Sequence, residues 1–104
     1  MDEMVLKHIR PDVIRFALAM ELKLRKHDDD RNGWANTDIN WLFKRLQQEM
    51  NELGEAIIFD GYFSGLPDEE SIDVGNFAMM IFSNSSRKTL DDLISQIRGP
   101  WQGG

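Results

Sequence analysis

Apolar positions recur with the period of an α-helix along most of the chain, and the breaks between the periodic segments are clearly marked. The predicted helices cover residues 11–27, about 37–59, 67–83 and 89–98. Pro11 and Pro67 stand at first helical positions, where the missing N–H costs nothing, and Gly99-Pro100 ends the last helix. No segment shows the sustained alternation of a strand. The sequence therefore predicts an all-α, four-helix bundle-like fold.

The second predicted helix has the clearest apolar stripe. It consists of Ile39, Leu42, Phe43, Leu46, Met50, Leu53 and Ile57. The same helix contains the segment "QEMNELGEAI", which has three glutamates. At about 100° per residue, Glu49 falls at the border of the stripe and Glu52 further round on the same side. Glu55 falls on the opposite side, so we expect it to be a solvated surface acid.

The third predicted helix is apolar on all sides between Ile72 and Phe82, a pattern that is typical of a buried helix. It nevertheless contains Asp73, with Glu70 one turn before it. An acid in the first turn complements the helix dipole, which accounts for Glu70 alone. Asp73 lies too deep for that explanation, and burying an unpaired carboxylate is costly. An ion pair of Asp73 with an arginine or a lysine is the structural alternative.

Composition narrows the class of protein. The 104 residues suffice for one domain, residues 1–104. A formal charge of −6 argues against nucleic-acid binding, and the lack of cysteine excludes disulfides and thiolate metal sites. No apolar run approaches the roughly 20 residues of a membrane span, and the N-terminal segment lacks the apolar core of a signal peptide. A cytoplasmic location without membrane contact is therefore the default expectation.

Two pairs of acids stand at i, i+3 on consecutive predicted helices: Glu49 with Glu52, and Glu70 with Asp73. This spacing places both members of a pair on one helix face. If the helices are antiparallel neighbours, the four carboxylates converge, and a hard divalent cation such as Mg²⁺, or alternatively Mn²⁺, would relieve their repulsion. Neither helix has a histidine in an E-x-x-H arrangement, which disfavours di-iron and zinc sites.

The two motifs, Glu49-Met-Asn-Glu52 and Glu70-Ser-Ile-Asp73, resemble those of the MazG-like all-α nucleoside triphosphate pyrophosphohydrolases. The similarity extends to "LFKRLQQEMNELGEAI" and "EESIDVGNFAMMI", and it covers roughly residues 37–84. The upstream segment "FALAMELKLRKHDDDRNGW" is similar to short phage and bacterial members that act on deoxynucleotides.

The resemblance implies hydrolysis of a (deoxy)nucleoside triphosphate between its α- and β-phosphates, giving the monophosphate and pyrophosphate, with deoxypurine substrates (dGTP, dATP) favoured. It implies that Glu49, Glu52, Glu70 and Asp73 bind Mg²⁺ ions, which would neutralise the triphosphate and activate water. Glu52 is the residue we expect to orient or deprotonate that water. Family members of this size are typically dimers or dimer-based tetramers, so the resemblance implies a homodimer or homotetramer. The third helix, which is apolar on all sides, also favours an oligomer.

Five further residues are candidates for substrate binding, each with a structural alternative. Asn76 would contact the sugar, a phosphate or the metal shell, or it is a hydrogen-bonded buried amide. Arg87 and Lys88 would hold the pyrophosphate portion, or they are solvated cations. His27 and Trp34 lie where related enzymes enclose the base. Trp34 would stack on the base or pack under its loop.

Two rival functions remain open at this point. The first is an inactive relative that binds a nucleotide or a metal without turnover. The second is a helical interaction module whose acids pair with Arg10, Arg15, Lys44 or Arg45.

Overall fold

The computed structural model describes residues 3–27, 33–60, 62 and 65–98, and all regular structure within them is helical, which confirms the all-α prediction. The helices are α1 (Glu3–Leu6), α2 (Pro11–Arg25), α3 (Ile39–Ile58), α4 (Pro67–Ser85) and α5 (Leu90–Arg98). The predicted segments correspond to α2–α5, whereas the short α1 was not predicted. The predicted stop at Gly99-Pro100 lies outside the described residues.

The chain forms two compact units, one made from its two ends, up to Leu18 and from Arg87 onward, and one spanning Ala19–Ser86. In the first unit α1 contacts α5, and Val5 is buried. A reciprocal cap opens α5: the Thr89 N–H donates to Asp92 Oδ2 and the Asp92 N–H donates to Thr89 Oγ1, both at 3.1 Å. The assignment of residues 1–104 to a single domain stays a prediction.

The second unit is organised by the packing of α3 along α4. Leu42 of α3 and Phe77 and Met80 of α4 form its buried apolar cluster. Leu24 and Trp34 pack against this cluster from α2 and from the segment before α3. Because the cluster lies at the α3–α4 contact, it holds the two acid-bearing helices side by side.

The buried face of α3 is not centred on its apolar stripe. The buried residues of α3 are Leu42, Glu49 and Ala56, which recur every seven positions. Phe43, Met50 and other stripe residues are about half exposed. Ala56 is fully buried, and its small side chain lets the backbones approach closely on this side. The helix therefore docks on α4 with a face that includes a carboxylate.

The prediction that α4 is a buried helix holds for part of its circumference. Asn76, Phe77 and Met80 are buried, whereas Ala78 and Phe82 are exposed. The side of α4 that bears Asn76 meets α2, where the Asn76 side chain reaches the Met20 carbonyl. The apolar pattern of α4 therefore predicts more buried residues than α4 has in this unit.

Two phenylalanines of α4 test this packing. Phe77 is 6% exposed and Phe82 is 51% exposed. We expect Phe77→Ala to lower the free energy of unfolding by about 3 kcal/mol, because it leaves a cavity in the core. Phe82→Ala, the matched control, should cost less than about 1 kcal/mol. Urea unfolding followed by circular dichroism measures both, and equal losses would contradict the assigned core.

Candidate metal and substrate site

Three carboxylates predicted from the sequence meet where α3 packs on α4. Glu49 from the middle of α3 and Glu70 and Asp73 from the first turns of α4 each place one oxygen within 4.8 Å of the others. Glu70 and Asp73 project from the same side of α4, as their i, i+3 spacing predicts. The structure therefore brings together three of the four predicted ligands, and we call them the carboxylate triad.

Several polar atoms at this place are buried without a hydrogen-bond partner among the described residues. They are Glu49 Oε2, Glu70 Oε2 and Asn76 Oδ1. Glu49 is only 6% exposed and Asn76 only 4%. Buried oxygens are normally satisfied, so these three atoms are available to accept a hydrogen bond or to coordinate a cation.

Burial and repulsion by neighbouring carboxylates make Glu49 and Glu70 hard to ionise. Desolvation by burial, followed by the hydrogen bond and the charge of Glu52, raises the pKa of Glu49 from 4.5 to about 7. Burial and the charges of Glu52 and Asp73 also raise the pKa of Glu70, and a hydrogen bond from the Gly65 backbone opposes this rise. A bound cation would reverse the repulsive contribution, since it favours the ionised form of each carboxyl.

Two basic side chains compensate part of this charge. Arg45 Nη2 lies 2.8 Å from Glu49 Oε1, and the Arg45 guanidinium stacks 5.0 Å from the centre of the Phe77 ring. Lys23 Nζ of α2 lies 3.4 Å from Asp73 Oδ1. The Asp73–lysine pair left open by the sequence is thus present, and so is one of the alternative pairs, Arg45 with Glu49. Each cation contacts a single oxygen, so neither one satisfies the triad.

Glu49 and Asp73 of the triad line a polar cavity of about 290 Å³, whereas Glu70 does not. It is lined by Lys23, Leu24, His27, Arg45, Glu49, Asp73, Asn76, Phe77 and Met80. A second, mainly apolar cavity of about 320 Å³ is lined by Gly33, Trp34, Thr37, Trp41, Leu42, Phe77 and Met80. Phe77 and Met80 belong to both linings, so the two cavities are neighbours that share these two side chains. Both lie within the second unit.

Glu52 is the predicted ligand that stands apart from the triad. It is exposed, yet it lies close enough to Glu49 and Glu70 to raise the pKa of both. Its position on the open side of the cluster differs from that of Glu49 because a spacing of three residues on a helix leaves about 60° between side chains. Glu55 is exposed, in agreement with its interpretation as a surface acid.

The five residues predicted to bind substrate do not lie together in the structure. His27 and Asn76 line the polar cavity, and Trp34 lines the apolar one. Trp34 also packs on the core cluster, so the packing alternative is present together with the cavity. Arg87 and Lys88 are exposed, belong to the other unit and are absent from both linings; their contact with pyrophosphate stays a prediction.

Three residues at the site were not predicted from the sequence to belong to it. Trp41 joins Trp34 in the apolar cavity, and Arg45 joins the polar one. Gly65 approaches the triad so closely that a Cβ built on it would lie 2.5 Å from Glu70 Oε1. The signal for Arg45 was its i, i+4 spacing to Glu49. Nothing in the local sequence indicates the approach of Gly65, because it depends on the path of the loop.

No family model, curated protein or solved structure was found to match this chain. The resemblance to MazG-like enzymes therefore stays a prediction that rests on the two motifs. None of the described helices is long and apolar enough to cross a membrane.

The raised pKa of Glu49 predicts a specific pH dependence. The Glu49 carboxyl binds its proton more tightly in the folded chain than in the unfolded chain. The free energy of unfolding should therefore fall as the pH rises from 4.5 to about 7. We expect a loss of roughly 1–3 kcal/mol over this window when metal ions are removed by a chelator. Urea unfolding at a series of pH values measures it. Glu49→Gln should lack this pH-dependent loss of stability. An identical pH profile in the wild type and the variant would contradict the prediction.

Proposed function

We propose that this protein is a Mg²⁺-dependent nucleoside triphosphate pyrophosphohydrolase that cleaves between the α- and β-phosphates. The carboxylate triad with its unpartnered buried oxygens carries this proposal. The order of the motifs, E-x-x-E and then E-x-x-D on the next helix, supports it. A cavity beside the triad with room for phosphates supports it further.

The donor set of the triad fits a hard divalent cation. Its donors are carboxylate oxygens, the chain has no cysteine, and His27 is the one histidine in the lining of the polar cavity. Mg²⁺ suits these donors, and Mn²⁺ is the alternative. When bound, the cation would supply the positive charge that a triphosphate and its transition state require.

The side chains of the site have separate roles in this proposal. Glu49, Glu70 and Asp73 would hold the cation. Glu52, exposed and close to Glu49, would accept the proton of the attacking water. Lys23, which pairs with Asp73 and lines the same cavity, would hold a phosphate oxygen of the substrate.

The apolar cavity is the proposed site for the base. Trp34 and Trp41 offer aromatic faces, and a volume of about 320 Å³ lies at the lower end of the range of small-molecule pockets. Asn76, whose Nδ2 donates to the Met20 carbonyl at 3.4 Å, has its Oδ1 free to accept from a sugar hydroxyl. The preference for deoxypurine nucleotides rests on the resemblance of the segment "FALAMELKLRKHDDDRNGW" alone.

A second candidate is a module that binds a metal or a partner without turnover. The ion pairs of Lys23 with Asp73 and of Arg45 with Glu49 favour it, because they compensate part of the buried charge without a cation. If these pairs exist for stability, then removing either acid leaves a cation unpaired and destabilises the chain. If the acids exist for a cation, then their removal relieves repulsion.

The activity test uses a panel of canonical and modified nucleoside triphosphates with Mg²⁺, with released pyrophosphate as the readout. We expect turnover by the wild type and a loss of at least about 100-fold in kcat for Glu49→Gln and for Asp73→Asn, because each removes a cation ligand. Glu55→Gln, on the exposed side of α3, is the matched control and should keep full activity.

Metal-dependent thermal shifts separate the rival functions. A metal-binding site predicts that Mg²⁺ or Mn²⁺ raises Tm of the wild type and not of Glu49→Gln or Asp73→Asn. Stabilisation without release of pyrophosphate from any substrate would support the inactive binding module. No metal effect, together with a large loss of stability in metal-free Asp73→Asn, would support the structural ion pair.

Gly65→Ala tests the placement of Glu70. The added Cβ would lie 2.5 Å from Glu70 Oε1, so the carboxylate must shift from its present position. Because the displaced atoms are the end of a flexible side chain, we expect little loss of stability but at least about tenfold weaker Mg²⁺ binding by isothermal titration calorimetry. Gly54→Ala is the control, since its Cβ meets nothing within 4 Å. Equal affinities in both variants would contradict this placement.

A further inference from the structure

One face of α4 carries Asp73, Phe77, Met80 and Asn84, which follow one another at intervals of 4, 3 and 4 residues. This spacing places the four side chains on one side of the helix. Asp73 belongs to the carboxylate triad, and Phe77 and Met80 belong to the buried apolar cluster. Asn84 is half-buried one turn beyond Met80. The chain therefore has an amide at a position where an apolar residue would extend the cluster.

The partners of Asn84 are two backbone carbonyls in the segment before α3. Its Nδ2 donates to the Trp34 carbonyl at 2.8 Å and to the Thr37 carbonyl at 3.3 Å, across 50 and 47 residues of the chain. The Thr37 N–H also donates to the Trp34 carbonyl at 3.0 Å, so residues 34–37 form a turn. An amide nitrogen has two hydrogens, and a single side chain thus satisfies both carbonyls. We call these two hydrogen bonds the Asn84 tether.

The residue that caps α3 does not hold this turn. Asp38 follows the turn as the N-cap of α3, and its side chain makes no capping hydrogen bond. The Trp34 ring packs on the buried cluster, which holds the turn through one side chain. The Asn84 tether adds hydrogen bonds to the backbone at both ends of the turn, so it also determines the path of the main chain.

The turn forms part of the wall of the apolar cavity. Trp34 and Thr37 line this cavity, and so do Phe77 and Met80 of α4, whereas Asn84 does not. Because Asn84 stands on the same helix as Phe77 and Met80, the Asn84 tether joins two parts of the wall that are distant in sequence. The separation between the turn and α4 therefore depends on a residue that a ligand in the cavity would not touch.

We propose that Asn84 is a positioning residue, whose amide holds the turn at residues 34–37 against α4 and thereby sets the width of the apolar cavity. The contact itself stands on the hydrogen bonds, and its consequence for a ligand rests on the proposed function, in which this cavity takes the base. Eleven residues separate Asn84 from Asp73, about 16 Å along the helix axis. A charge at position 84 is therefore largely screened from the carboxylate triad.

Hydrogen–deuterium exchange tests the Asn84 tether without any ligand. In Asn84→Asp a carboxylate faces the two carbonyls, so peptides covering residues 34–42 should exchange at least about tenfold faster than in the wild type. Ser83→Asp is the matched control, since it adds the same charge at the adjacent, exposed position and should exchange as the wild type does. Asn84→Ser, whose single hydroxyl hydrogen cannot serve both carbonyls, should show the same direction of change. Unchanged exchange in both Asn84 variants would overturn the proposal.

Ligand affinity tests the consequence for the cavity. Calorimetry with Mg²⁺ compares an α,β-methylene analogue of dGTP, which has a base and is not hydrolysed, with inorganic triphosphate, which has no base. Asn84→Asp should bind the analogue at least about tenfold more weakly, because the cavity is no longer preorganised, and inorganic triphosphate within about twofold of the wild type. A general loss of structure would weaken both ligands.

The outcomes separate this inference from the proposed reaction. A wild type that binds the analogue no better than inorganic triphosphate, or equal effects of Asn84→Asp and Ser83→Asp on the analogue, would overturn the inference. A wild type that binds the analogue through an Asn84-dependent cavity, yet releases no pyrophosphate from any nucleoside triphosphate, would contradict the proposed reaction and support the inference.

Discussion

The second unit depends on one constraint, the burial of the Glu49 carboxyl at the contact between α3 and α4. A carboxyl that is 6% exposed cannot be stabilised by water, so its surroundings must supply either a proton or positive charge. Arg45 satisfies one oxygen from the same helix and is itself held against Phe77. The second oxygen has no partner, and the two other acids of the triad add repulsion. The apolar packing must offset this cost.

The same packing couples the acids to the aromatic cavity. Phe77 and Met80 belong to the core cluster and also line both cavities. Their positions therefore fix the distance between the carboxylates and the two tryptophans, and a change in the core would alter both places together. If the carboxylates hold a divalent cation, a ligand with an anionic end and a planar apolar end would match this pairing of surfaces, which is the physical reason for proposing a nucleotide.

Features that local chemistry determines were predictable from the sequence. The start of α4 at Pro67 and the spacing of Glu70 and Asp73 depend on residues within one or two turns, so their prediction required no tertiary information. The pairing of Lys23 with Asp73 could be named only as an alternative, because it depends on where α2 lies. The approach of Gly65 to Glu70 is a property of the backbone path and leaves no signal in residue type.

The docking face of α3 was the least predictable feature, and the reason bears on how the molecule is stabilised. Periodicity locates an apolar surface but does not say which neighbour covers it. In α3 the face that meets α4 includes a carboxylate, whereas Phe43, Met50 and Ile57 of the apolar stripe are at least half exposed. Among the described residues the fully buried apolar side chains are few, so burial within the chain contributes modestly to its stability.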